Sequence, residues 1–146
     1  MRLLIVVLLL FYGVESIAKD DFKGLLIDQG YISSDVENPE YTAIGLFYLS
    51  SGNVKLGLKY MDLAESYSDM LSLSVTRLIS INRKGLYFLM GGETLDVYHG
   101  SRGYPGVTSA SPIFGLGVFV TRRKFLSQVE LSVHYPRVEV NFSLGY

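Results

Sequence analysis

In the segment VEVNFSLGY the side chains alternate without a fault. Val138, Val140, Phe142, Leu144 and Tyr146 are apolar or aromatic, and Glu139, Asn141, Ser143 and Gly145 between them are polar or small. Successive side chains of a strand point to opposite faces, so a period of two describes a strand with one apolar and one polar face. The same period recurs in seven earlier segments, at 24–32, 41–50, 54–63, 70–80, 86–97, 112–121 and 125–135, with 138–146 as the eighth. Turn-forming residues separate them. The pattern predicts an all-β chain of eight antiparallel strands in up-and-down order.

Most of these segments run 9 to 12 residues. That is close to the roughly 9 to 11 residues with which a tilted strand crosses a bilayer, and longer than the usual soluble strand of about 5 to 6. The connections alternate in character. Ser51–Asn53, Ile81–Gly85 and Thr121–Lys124 are tight or basic, whereas Ser33–Glu40, Ala64–Asp69 and Tyr98–Ser111 are longer and rich in Ser, Gly, Tyr and acids. Short turns at one end and long loops at the other are expected of a transmembrane barrel. Pro136-Arg137 departs from this as a minimal connection on the long-loop side. Tyr31, Tyr41, Tyr60, Tyr67, Tyr98, Tyr104 and Tyr135 fall at strand ends on the long-loop side, and Phe22, Tyr87, Phe125 and Tyr146 near the opposite ends. Two aromatic belts at the two interfaces are expected from that distribution. A soluble lipocalin-like barrel is the competing architecture, because alternation alone does not say which face is inside.

At the N-terminus Arg2, the apolar run Leu3–Tyr12 and the small-x-small triplet Ser16-Ile17-Ala18 have the plan of a secretory signal peptide cleaved after Ala18. Residues 1–18 are then the leader and 19–146 the barrel domain. A formal net charge of −1 gives no basic excess for nucleic acid, and the absence of cysteine excludes disulfides and a lipidated N-terminal Cys.

The alternating segment that closes on Tyr146, the last of eight strands after a leader, resembles the barrel-assembly signal of small bacterial outer-membrane barrels of the OmpX, Ail and NspA type and the membrane domain of OmpA. The resemblance implies a Gram-negative outer membrane as the location, with Val138, Val140, Phe142, Leu144 and Tyr146 read by the barrel-assembly machinery. It also implies contact with membrane lipid and lipopolysaccharide, and closure of strand eight on strand one so that no edge is left in a solvent that cannot hydrogen-bond. Proteins of this kind act in adhesion, serum resistance or envelope integrity, with a host or envelope protein as the loop partner.

On this plan the apolar residues of strands three, four, six, seven and eight face lipid, while Gly57, Ser72, Ser74, Thr76, Gly115, Gly117, Ser132 and Ser143 fill the lumen. Lys55, Lys59, Glu130, Glu139 and Asp28 share the inward face. Buried charges must be paired, so an ionic network joining Lys55 and Lys59 with Glu130 and Glu139 is expected. Arg77 falls in phase with Leu73 and Val75 and is expected on the lipid side near the short-turn end. Glu93 follows Gly91-Gly92, where a bulge could reset its face.

Glu130, Ser132 and His134 on strand seven are the residue types of acyl transfer, and the small outer-membrane barrels include lipid A deacylases. Residues two apart on a strand lie roughly 6.5 to 7 Å apart along the backbone, whereas a Ser–His hydrogen bond needs about 2.6 to 3.2 Å. The deacylases also place their serine two residues after the histidine, where Pro136 stands here. An enzyme is therefore the minor expectation. His99 lacks metal-ligand spacing, GLGV at 115–118 lacks the helix N-terminus of a phosphate site, and no cofactor is expected. The expected role is structural or one of surface contact through the loops, Tyr98–Ser111 above all; a narrow pore is a further alternative.

Overall fold

The computed structural model describes residues 20–32, 40–63, 68–81, 85–99, 107–134 and 137–146. The leader expected to end at Ala18 lies outside them. The elements are β1 (Phe22–Ile32), β2 (Glu40–Leu49), β3 (Val54–Leu63), β4 (Ser68–Ser80), β5 (Leu86–His99), β6 (Val107–Arg122), β7 (Phe125–His134) and β8 (Arg137–Gly145). Each strand pairs antiparallel with its sequence neighbours, and the sheet closes into a barrel where β1 meets β8. That seam runs from Gly24 opposite Gly145 to Ile32 opposite Arg137. It is extended by a reciprocal backbone pair, Lys23 N to Tyr146 O at 3.1 Å and Tyr146 N to Lys23 O at 3.0 Å. Tyr146 is thus held by the ladder.

The turns between β2 and β3, β4 and β5, and β6 and β7 lie at the same end as this seam's Tyr146. In the first, Asn53 takes a left-handed φ of 63° and its N–H donates to Ser50 O at 3.0 Å. In the second, Gly85 has φ 86°, and a Cβ there would run into the carbonyl of Phe119, so only glycine fits. In the third, Arg123 adopts φ 56°.

Alternation assigns the faces. On β7 every second residue from Leu126 to His134 is buried and every intervening one exposed. The exposed set is mostly apolar: Leu25, Ile44, Leu58, Leu73, Leu116 and Leu131, among others, are each about half exposed on the outer wall. The buried set includes Asp28, Lys55, Lys59, Glu93, Glu130, Arg137 and Glu139. A soluble carrier would have the reverse distribution, so the lipocalin-like alternative fails on the placement of its apolar face.

Three expectations need correction. β5 runs to His99 and β6 begins at Val107, so Tyr98, His99 and Val107–Ser111 belong to strands and not to the loop assigned as Tyr98–Ser111. Among the described residues β7 pairs with β6 from Phe114 onward, and Pro112 has its register partner on β5, at Gly92. Glu93 needs no bulge, since the β4–β5 register runs unbroken through Val75–Gly92 and Ser74–Glu93. It faces the lumen in plain alternation with Tyr87 and Leu89. The aromatic belts are also incomplete: Phe22, Tyr41 and Tyr87 point into the lumen, while Tyr60, Phe125 and Tyr146 are on the outside. Side-chain positions for Tyr31, Tyr67, Tyr98, Tyr104 and Tyr135 lie outside the described residues.

Candidate functional site

The lumen is built in three layers. At the short-turn end Phe22, Leu26, Phe47, Leu49, Leu78, Tyr87, Leu89, Ile113 and Leu126 form an apolar plug, with Phe119 against it. Toward the other end Tyr41, Ala43, Met61 and Met70 form a smaller one. Between them lies the charged cluster.

Register explains how long charged chains fit. Lys59 is flanked on its neighbouring strands by Gly45 and Ser72, Glu139 by Gly30 and Ser132, Glu93 by Ser74 and Ser111, and Glu130 by Gly117 and Asn141. A small or short polar neighbour on each side leaves the volume into which the long chain extends.

Lys55 Nζ meets Glu130 Oε2 at 2.7 Å and Ser143 Oγ at 3.1 Å, and stands 5.2 Å over the Phe47 ring. Tyr87 donates to Glu130 Oε1 at 2.6 Å. Lys59 Nζ bridges Asp28 Oδ2 at 2.6 Å and Glu139 Oε1 at 2.5 Å; Tyr41 donates to the second oxygen of Glu139 at 2.6 Å. Asn141 donates to Asp28 and accepts from Ser143 Oγ. Higher in the barrel, Ser72 Oγ donates to Glu93 at 2.8 Å, Arg137 pairs with the same carboxylate, and His134 Nδ1 lies 3.0 Å from it.

Lys55, Lys59, Glu130 and Glu139, the residues singled out in the sequence, are therefore neighbours in the pairs Lys55–Glu130 and Lys59–Glu139. The sequence did not place Glu93, Arg137, His134, Tyr41 or Tyr87 in this network. The signal for Arg137 was available, since it continues the inward phase of Glu139 and Asn141. Arg77 lies in the outward phase of Leu73 and Val75, opposite Val54 at the short-turn end, and is half-buried.

The spacing argument against Ser132 and His134 is overturned: Ser132 Oγ lies 2.8 Å from His134 Nε2. Backbone separation misled because both side chains share a face and the imidazole reaches back along the strand. With Glu93 on Nδ1, the residue types and distances are those of a nucleophile, base and orienting acid. Two observations limit that chemistry. Nε2 is also 2.8 Å from Glu139 Oε1, so the nitrogen that would take the serine proton already faces a carboxylate. The adjoining cavity, lined by Lys55, Lys59, Glu130, Ser132, His134 and Glu139, is about 30 Å³, room for one or two water molecules and not for an acyl chain. Among the described residues no cluster has the make-up of a metal site.

The fold and the inverted lumen define a class, the eight-stranded transmembrane β-barrels. Neither a family model nor a curated protein sequence matches the chain. Among solved structures it is similar to a de novo designed transmembrane β-barrel, at 13% identity over 90% of this chain and 98% of the other with a TM-score of 0.55. It is also similar to the N-terminal β-barrel domain of OprF from Pseudomonas aeruginosa, at 12% identity over 87% and 96% with a TM-score of 0.53. Ail, the attachment invasion locus protein of Yersinia pestis, aligns at 18% identity over 86% and 96% with a TM-score of 0.47. The chain has the fold of the small eight-stranded outer-membrane barrels.

Proposed function

We propose that this chain is an integral protein of a bacterial outer membrane whose barrel is a packed support and whose work is done by surfaces, through the loops and the lipid-facing wall, in surface contact or envelope integrity. The observation that carries the reading is the filled lumen inside an apolar wall: among the described residues two plugs and a cross-linked ionic layer occupy the interior, with a cavity near 30 Å³ beside the ionic layer. A solute path and an acyl-transfer site both need more room. On this reading lipopolysaccharide covers the upper wall, the assembly machinery reads Val138, Val140, Phe142, Leu144 and Tyr146 of β8, and a host or envelope protein contacts the long loops.

Fractionation with heat-modifiable gel migration tests location and closure together. Migration as an ordinary soluble periplasmic protein would reject the reading. Planar-bilayer recordings are expected to lack discrete conductance steps; steps would favour a pore instead. Lipid A mass spectra are expected to be the same for cells carrying wild type, Ser132→Ala or His134→Ala. A wild-type-dependent loss of an acyl chain, abolished in both variants, would install the Glu93–His134–Ser132 arrangement as an active site.

A further inference from the structure

On the outer wall at the short-turn end the surface is furrowed. Ser127 of β7 points outward between Val120 of β6 and Leu144 of β8, its direct register partners. A serine where the neighbours are branched apolar residues makes a floor, and its two walls stand two strand spacings apart, roughly 9 to 10 Å. The resulting groove has a volume of about 330 Å³. Val120 at 67%, Phe125 at 68%, Leu144 at 67% and Tyr146 at 65% are the four most exposed large apolar side chains among the described residues, and all four line it.

The mouth of this furrow is cationic. Arg122 lines the groove, opposite Phe125, and Arg123 and Lys124 follow in the turn, all three exposed. Among the described residues none of the three has an ion-pair partner. Backbone energetics do not favour arginine at position 123, where φ is 56° and glycine or asparagine would be unstrained. Asp21, at this end, is engaged by Tyr48 and by the Ser51 N–H on the β2 side. An apolar slot of one acyl chain's width that carries Arg122 in its lining and has Arg123 and Lys124 in the adjoining turn fits one chemistry: a hydrocarbon tail joined to a phosphate. Guanidinium binds phosphate through paired N–H donors.

We propose that this furrow is a binding site for an anionic glycerophospholipid of the leaflet at the short-turn end, with one acyl chain over Ser127 and the phosphate on Arg122, supported by Arg123 and Lys124. The assignment rests on the wall being lipid-covered, which heat-modifiable migration of the same samples tests separately. Lipid A carries phosphate as well, but in the reading above it lies in the opposite leaflet.

The test is native mass spectrometry of the folded full chain released from micelles holding equal phosphatidylglycerol and phosphatidylcholine, with lipid A added in a parallel arm. Wild type is expected to retain phosphatidylglycerol at least about five-fold over phosphatidylcholine, each surface cation contributing roughly that factor. Arg122→Gln should lower the preference roughly five-fold, and Ser127→Leu, which fills the floor without touching charge, should lower total lipid retained. Raising salt on wild type should erase the preference, a reading that needs no variant to fold. Equal retention of the two lipids by wild type, a preference that survives salt, either variant behaving as wild type, or displacement of phosphatidylglycerol by lipid A would each overturn the site.

Discussion

Lys59 shows what single residues contribute here. Its ammonium stands between Asp28 and Glu139, 4% exposed, and removing it would leave two carboxylates facing each other in the lumen. Breaking a buried pair from one side costs about 3–5 kcal/mol. Lys59→Met is therefore expected to lower the urea midpoint of the barrel in micelles by a corresponding amount, while Lys55→Met with Glu130→Leu, which removes both partners, should cost much less. Little difference between the two would show that the cluster is hydrated. Gln128 is the opposite case. It is 1% exposed, and neither amide atom has a protein partner among the described residues, so Gln128→Leu should be neutral or stabilising by about 1 kcal/mol; a clear loss of stability would reveal a partner for the amide. Outside the membrane-spanning strands, Asp21 accepts from Tyr48 Oη at 2.6 Å and from the Ser51 N–H at 2.7 Å. The Tyr48 hydrogen bond, then the Ser51 one, holds its carboxyl below the usual carboxylate value. Because the folded value is depressed, the clip is present above the unfolded value near 3.9 and is lost as pH falls through the folded one. A carboxyl ¹³C titration of Asp21 in the folded barrel should have its midpoint below that of the same carboxyl in the urea-unfolded chain; an equal or higher midpoint would contradict the clip.

Strand pairing is the scale on which the sequence was most informative and also misled. β8, and β7 from Gln128 onward, were legible because one face is apolar and the other small, polar or charged, and the lumen charges Lys55, Lys59, Glu130 and Glu139 followed from phase alone. β5 was not. Leu86, Tyr87, Phe88, Leu89 and Met90 are apolar on both faces, since Tyr87 and Leu89 belong to the lower plug, and with no phase to read, Glu93 could not be placed. Ring position near a strand end carried no facing information either: Tyr41 and Tyr87 follow the inward phase and end on Glu139 and Glu130. The Tyr87–Gly117 pair makes a test at this scale. The two are register partners, and a Cβ at 117 would collide with the phenol ring, so the glycine is what lets the ring lie across β6 to reach Glu130. Gly117→Val is expected to displace Tyr87 from Glu130 and cost about 1–3 kcal/mol through overpacking. A urea midpoint equal to wild type would contradict that interlock.

For the whole molecule, fold class could be read because length, period and turn character agree, while the direction of the faces needed the structure. Polar groups fill the middle, and hydrocarbon side chains coat the outside. Each lumen charge is satisfied across the barrel by strands far apart in sequence, Asp28 with Lys59 and Lys55 with Glu130, and no local pattern could show those pairs. The seam between β1 and β8 closes the sheet on itself, as a bilayer requires of a strand-built span. Everything proposed for the loops, the lipid furrow and the inert lumen depends on which face meets hydrocarbon. The most direct measurement is site-directed spin labelling of the reconstituted barrel along β7. Labels at Val129 and Leu131 are predicted to show high oxygen and low aqueous-relaxant accessibility, and a label at Gln128 to show low accessibility to both. High accessibility of Val129 and Leu131 to the aqueous relaxant would contradict the account.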